Sequence, residues 1–305
     1  MSKLITVFGA TGNQGGSLIR AILADPTLSK EFRIRGITRD TNKEAAKELA
    51  SKGVDIVAAD MSSVESVTTA VKGAHTVFLM TNFWESMSKD KEVSQGKNVT
   101  DASKAVGVEH LIFSSLLNTT EASQGRLSHI VHFDGKAEIE QYIRDSGVPA
   151  TFVLPGMFMS GLFTMIKKQE NGSYTLALPV SSEKAKLPLF DVVDDTGKFV
   201  KAAIKHYPSY LGKRIYAATD YYSPSRLISE FSGVIGKSAV SVQIPEDAFK
   251  SALPPPVAQE LLETVLLLED PGYYAGEDLK DSLKLLDEKP TTWKEFVEKN
   301  KAKWQ

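Results

Sequence analysis

Three groups of residues in this 305-residue chain have the types and spacing that chemistry needs. Gly9-Ala10-Thr11-Gly12-Asn13-Gln14-Gly15 is a glycine loop with GxxGxxG spacing. Such a loop permits a tight turn, close backbone approach to a pyrophosphate and close helix–strand packing, and the helix that follows offers its unpaired N–H groups to phosphate. Thr38-Arg39, with Lys43 four residues on, forms a cationic group further along. An NAD site usually carries an acidic residue there to bind the ribose 2′-hydroxyl. Arg39 can instead grip a 2′-phosphate with two hydrogen bonds and stack on adenine, with Lys43 adding charge. Asp40 is the only nearby acid, one position too late. The expectation is a dinucleotide site that prefers NADP(H), with NAD(H) as a second ligand.

The third group is His132-Phe133-Asp134-Gly135-Lys136. Short-chain dehydrogenases place a tyrosine four residues before a lysine, so that both lie on one helix face. The tyrosine moves the substrate proton, while the lysine holds the ribose and lowers the tyrosine pKa. No tyrosine here is followed four residues later by lysine. Lys136 stands where the ribose-holding lysine would, and His132 takes the tyrosine position. A histidine titrates near neutrality and could act as an acid, or it could be a helix-face residue that moves no proton; the sequence leaves both open. His129, three residues before His132, suggests a metal pair, but no third ligand and no HExxH accompany it, so no metal is expected.

Positioning these residues requires particular elements. Short β-branched runs at residues 4–8, 32–38, 54–58, 76–80, 111–114 and 151–154 alternate with helix-period segments. Pro26, Gly53, Gly107 and Gly147 punctuate the helix ends, and Ser62 with Glu65 has capping-box spacing. Strands alternating with helices predict an α/β, Rossmann-type doubly wound parallel sheet. Ligands bind at the carboxyl ends of such strands, which sets Asp60-Met61 at the adenine edge and Thr81-Asn82-Phe83 near the nicotinamide.

The expected organisation is a dinucleotide domain over 1–155 and a smaller α/β substrate or partner domain over 156–305, with segments returning to the sheet. In that second half, 215–219 and 240–244 read as isolated strands, and Pro254-Pro255-Pro256 opens a helix over 257–268. Residues 291–304 read as a final amphipathic helix with Trp293, Phe296 and Val297 on one side.

Lys and Arg number 36 against 38 Asp and Glu, a net charge of −2, so direct nucleic-acid binding is not expected. The absence of cysteine excludes disulfides and thiolate chemistry. No apolar run is long enough to span a membrane, and Met1-Ser2-Lys3 leads straight into a strand pattern. A cytoplasmic or nuclear protein is expected.

Together the glycine loop, Thr38-Arg39, residues 81–86, Glu92-Val93-Ser94-Gln95-Gly96-Lys97 and His-Phe-Asp-Gly-Lys closely resemble the NmrA-like proteins. These are atypical short-chain dehydrogenases that include fungal nitrogen-repression regulators and redox-sensing animal relatives. The resemblance implies dinucleotide contacts at residues 9–14, Arg39, Lys43, Asp60, Met61, Thr81, Asn82, Phe83 and Lys136. It also implies contacts from the loop after the sixth strand, here Met157, Phe158 and Ser160. Two departures stand out: Ser94 replaces a lysine found in some relatives, and the loop after Val153 is one residue shorter.

Two function classes follow. A redox sensor reads NADP(H) and acts through a protein partner such as a transcription factor; His132 in place of tyrosine favours it, because a sensor needs no proton donor. An NADPH-dependent reductase of a small apolar or aromatic substrate would use Lys136, His132 and a wall of Met157, Phe158, Leu162 and Phe163. A sugar-nucleotide epimerase would want the missing tyrosine. The sensor is the favoured expectation.

Overall fold

The computed structural model describes residues 2–304. Seven strands form one parallel sheet in the order β11-β6-β5-β4-β1-β2-β3. They are β1 (Lys3–Val7), β2 (Phe32–Thr38), β3 (Asp55–Ala58), β4 (Thr76–Leu79), β5 (His110–Ser114), β6 (Ala150–Pro155) and β11 (Arg214–Ala217). Their near-continuous apolar character follows from burial on both faces. On one face, Leu18, Ile19 and Ile22 of the helix Asn13–Ala24 meet Phe199 and Val200 of the helix Thr196–Lys205. On the other, Val67, Val99, Ile139 and Ile143 build the larger core. The sheet is the expected Rossmann type. β1 lies between β2 and β4, so strand order reverses there and a crevice opens at their carboxyl ends.

Two short sheets follow the sixth strand. One runs β12-β10-β7 and the other β13-β9-β8, from β7 (Met157–Phe158), β8 (Ile166–Lys168), β9 (Tyr174–Leu178), β10 (Leu187–Phe190), β12 (Asp220–Tyr222) and β13 (Ala239–Gln243). The segments read from sequence as isolated strands are therefore not isolated. β11 extends the main sheet beside β6, and β13 pairs in parallel with β9. Parallel pairing joins segments far apart in the chain and leaves no local turn signature to read.

Other boundaries also shift. The cap of the helix Val64–Val71 is Ser63, whose hydroxyl accepts from the Ser66 N–H, and not Ser62. The helix after the proline triplet is Pro255–Leu266, opening at its second proline. The last helix spans only Trp293–Lys299, held by a capping box between Thr292 and Glu295, and it buries Trp293, Phe296 and Val297 as expected. Among the described residues no helix is long and apolar enough to cross a membrane.

At the amino end of β5, His110 is 1% exposed and shares a 2.9 Å hydrogen bond with the Thr151 hydroxyl. Burial, with a smaller contribution from His75, pushes its pKa down from 6.5 to about 4. A folded-state value below the unfolded one means full stability above pH 6.5, lost as pH falls towards 4. The difference is worth about 3 kcal/mol. Urea titrations between pH 7 and 4 should therefore show a loss of that size beyond the carboxylate contribution, and His110→Gln should flatten it. Equal slopes in the two proteins would refute this assignment.

Candidate functional site

The glycine loop turns at the carboxyl end of β1. Gly9 adopts φ +66°, a region that side chains disfavour, and its carbonyl accepts from the Gly12 N–H at 2.9 Å. A Cβ on Gly15 would sit 2.3 Å from the Gly9 oxygen, so only glycine lets the helix close onto the loop. Gly12 differs. Its backbone is extended, it is exposed, and a Cβ there would meet only the Gly9 oxygen at 3.3 Å. Gly9 and Gly15 are glycines for the sake of the chain, whereas Gly12 leaves the space beside it clear. No side chain caps the helix at Gly12 and no acidic residue lies in its first turn, so its leading N–H groups suit an anion.

Beside the loop lies a cavity of about 230 Å³, bounded by residues at the ends of β1 to β4. Gly9, Thr11 and Gly12 wall one side; Thr38, Arg39 and Lys43 another; Asp60, Met61, Asn82, Glu85 and Gln95 the rest. Residues predicted from four separate segments thus converge here. Ala10 is the buried member of the loop, Asn13 is exposed, and the Gln14 side-chain amide oxygen accepts a 2.8 Å hydrogen bond from the Ser114 hydroxyl at the end of β5. Arg39 is ion-paired with Glu85, and Lys43 has no ion-pair partner among the described residues. The Asp60 carboxyl is held below its ordinary value chiefly by the Ser62 N–H, with Arg39 adding to the effect. A larger cleft of about 630 Å³ lies elsewhere, between Arg20, Asp25, Lys198 and Lys201, and lacks the glycine loop.

The His-Phe-Asp-Gly-Lys run opens the helix Val131–Ser146, and each residue has a physical task. The Lys136 ammonium donates to the Thr81 carbonyl at 3.1 Å and to its hydroxyl at 2.8 Å, and is ion-paired with the buried Glu92. Burial lowers the Lys136 pKa, opposed by the Glu92 charge. The second Glu92 carboxylate oxygen is buried without a partner among the described residues. Gly135 lets the two helices approach, since a Cβ there would lie 3.1 Å from that oxygen. Asp134 accepts from the N–H and hydroxyl of both Thr119 and Thr120, and Phe133 is core.

His132 is nearly buried, with its Nδ1 2.6 Å from Glu260 and its own backbone N–H donating to the same oxygen at 3.0 Å. Its ring lies among Phe83, Trp84 and Phe133. His129 makes the equivalent pair with Glu263. The two histidines thus turn to separate carboxylates on the helix Pro255–Leu266, a geometry that does not converge on one ion. Among the described residues no group of three metal-ligating side chains forms.

Met157 and Phe158 are taken up in β7, pairing with Leu189 and Phe190, and neither they nor Ser160 line the 230 Å³ cavity. The proposed apolar wall also needs correction: Leu162 is fully buried in the core, and Phe163, half-buried, packs against that core, stacked on Phe296 and tilted against Trp304. Sequence reasoning did not single out Glu85, Glu92, Gln95 or Glu260. Glu85, Glu92 and Gln95 lie within the segments that carry the family resemblance, but nothing in spacing marks them; Glu260 comes from a helix more than a hundred residues away.

The NmrA-like family matches residues 1–297. The NmrA-like family domain-containing oxidoreductase malD of Malbranchea aurantiaca is 33% identical over 258 residues, covering 79% of this chain and 76% of that protein. Its counterpart ptmS of Penicillium ochrochloron is 32% identical over 252 residues, 77% and 74% of the two chains. Among solved structures, NmrA, a negative transcriptional regulator, superposes with a TM-score of 0.83 at 22% identity over 98% of this chain and 95% of that one. The NADPH-dependent quinone oxidoreductase QOR2 of Escherichia coli, complexed with NADPH, gives 0.78 at 22% identity over 97% and 99%. At those identities the structures speak to the fold, while the family match spans nearly the whole sequence. The chain belongs to the NmrA-like family.

Proposed function

We propose that the protein binds NADP(H) in the crevice and works as a redox-state sensor through a protein partner. The observation that carries the cofactor reading is the meeting of an uncapped helix N-terminus at Gly12 with Arg39 and Lys43 around one cavity. Backbone N–H groups there suit a pyrophosphate, and the two cations suit a 2′-phosphate. Thr81, Asn82 and Lys136 would hold the nicotinamide side. The sensor reading rests on His132 and Lys136, the two groups that could move a proton. Both are committed to internal carboxylates, Glu260 and Glu92. Glu260 also ties the helix Val131–Ser146, which carries Lys136, to the C-terminal segment, a route by which cofactor state could reach a partner surface.

One observation favours the second reading, an NADPH-dependent reductase of a small apolar or aromatic substrate. A carboxylate on Nδ1 is the arrangement that orients an imidazole to give a proton from Nε2. The curated relatives named above are called oxidoreductases. Bound NADPH would supply the hydride.

Calorimetric titration tests the cofactor reading. NADP⁺ should bind roughly ten- to a hundredfold tighter than NAD⁺, because a charge-assisted contact to phosphate is worth ~1.5–3 kcal/mol. Arg39→Asp should remove most of that preference. Equal affinity of the unmutated protein for the two nucleotides would sink the assignment.

A further inference from the structure

We propose that Glu85 sets cofactor specificity by competing with the 2′-phosphate for Arg39; this rests on the NADP(H) reading above. Four charged side chains line the cavity: Arg39 and Lys43 against Asp60 and Glu85. The two acids are placed differently. Asp60 accepts from the Ser62 N–H at 2.8 Å, a contact that fixes the turn after β3. Glu85 has one side-chain partner among the described residues, the Arg39 guanidinium. Glu85 therefore occupies the group that the 2′-phosphate would use.

The pair is easily exchanged. The Arg39 and Glu85 side chains are 62% and 44% exposed, so water screens the attraction and little is lost on separation. Glu85 rides on the single helical turn Phe83–Ser86, anchored by the buried Phe83 and closed by Met87 at φ +50°. A 2′-phosphomonoester brings up to two negative charges and needs the guanidinium fork that Glu85 holds. It must displace the carboxylate and then tolerate it nearby. A 2′-hydroxyl asks for neither, and it can donate to a carboxylate. Glu85 thus penalises the phosphorylated cofactor selectively.

Titration of the unmutated protein, Glu85→Gln, Arg39→Met and the double variant with NADP⁺ and with NAD⁺ tests this. In Glu85→Gln, NADP⁺ should bind roughly three- to tenfold tighter, with NAD⁺ unchanged or weaker. Most of that gain should vanish when Arg39→Met is already present, since the competition has lost its object. Unchanged or weaker NADP⁺ binding in Glu85→Gln, or equal tightening of both nucleotides, overturns the proposal while leaving the cofactor site standing. Binding of neither nucleotide to any of the four proteins removes the NADP(H) reading itself, and the role of Glu85 with it. Thermal melts of all four check folding; both positions are solvent-facing, so the midpoints should agree.

Discussion

Gly12→Val should lower NADPH affinity by roughly a hundredfold or more, about 2.7 kcal/mol, with the thermal midpoint almost unmoved. The two glycines on either side predict the opposite balance, which makes the set informative. At Gly12 the backbone is extended and the site is exposed, so an added side chain meets only the Gly9 carbonyl oxygen, at 3.3 Å, a contact relieved by a shift of a few tenths of an ångström. It projects into space that the pyrophosphate must approach closely. At Gly15 an added Cβ would fall 2.3 Å from the Gly9 carbonyl oxygen, and backbone cannot yield by that much. Gly15→Val should therefore fail to fold or melt far lower, whether or not a nucleotide is present. Calorimetry with NADPH and circular-dichroism melts on both variants decide the matter. Normal NADPH binding by a folded Gly12→Val protein would show that the glycine loop is not the phosphate site.

NADPH oxidation across a panel of quinones, aldehydes and ketones should stay near background, and this outcome separates the two functional readings. Reduction of a carbonyl leaves an alkoxide that needs a proton, and the donor is worth ~10²–10⁴-fold in rate. His132 is the only residue in the tyrosine position. Its Nδ1 is held by Glu260, and its ring is boxed by Phe83, Trp84 and Phe133. If that ring serves structure, His132→Ala should cost about 1–3 kcal/mol of stability, because the buried Glu260 carboxylate then keeps only the backbone N–H of residue 132. His132→Gln, which can keep a hydrogen bond to Glu260, should cost less, and neither variant should change an already negligible rate. If the ring is an acid, turnover should be robust and should collapse in His132→Gln even where the fold survives. That second pattern would replace the sensor with the reductase. A substrate such as an activated alkene needs less help from a proton donor, so the panel should include one.

What could be read from the chain alone was whatever depends on neighbours in sequence. β-Branched runs between helix-period segments sufficed for the parallel sheet, because strands buried on both faces must be apolar throughout. The glycine spacing sufficed for the turn, since Gly9 and Gly15 answer to backbone geometry only a few residues away. Arg39 and Lys43 were legible because the end of β2 has one address in this kind of sheet. Tertiary structure decided the rest. Whether β11 and β13 pair, and with what, depends on segments brought together from far along the chain. So do the partners of the charged groups: Glu85 reaches Arg39, Glu92 reaches Lys136 and Glu260 reaches His132 only after the sheet has twisted and the helices have docked. A carboxylate in sequence is simply a charge on a helix, and burial beside one particular cation turns it into part of a site. For the same reason Leu162, apolar and well placed in the chain, ended in the core with Phe163 packed against it, where excluding water from neighbours across the fold outweighs any local signal.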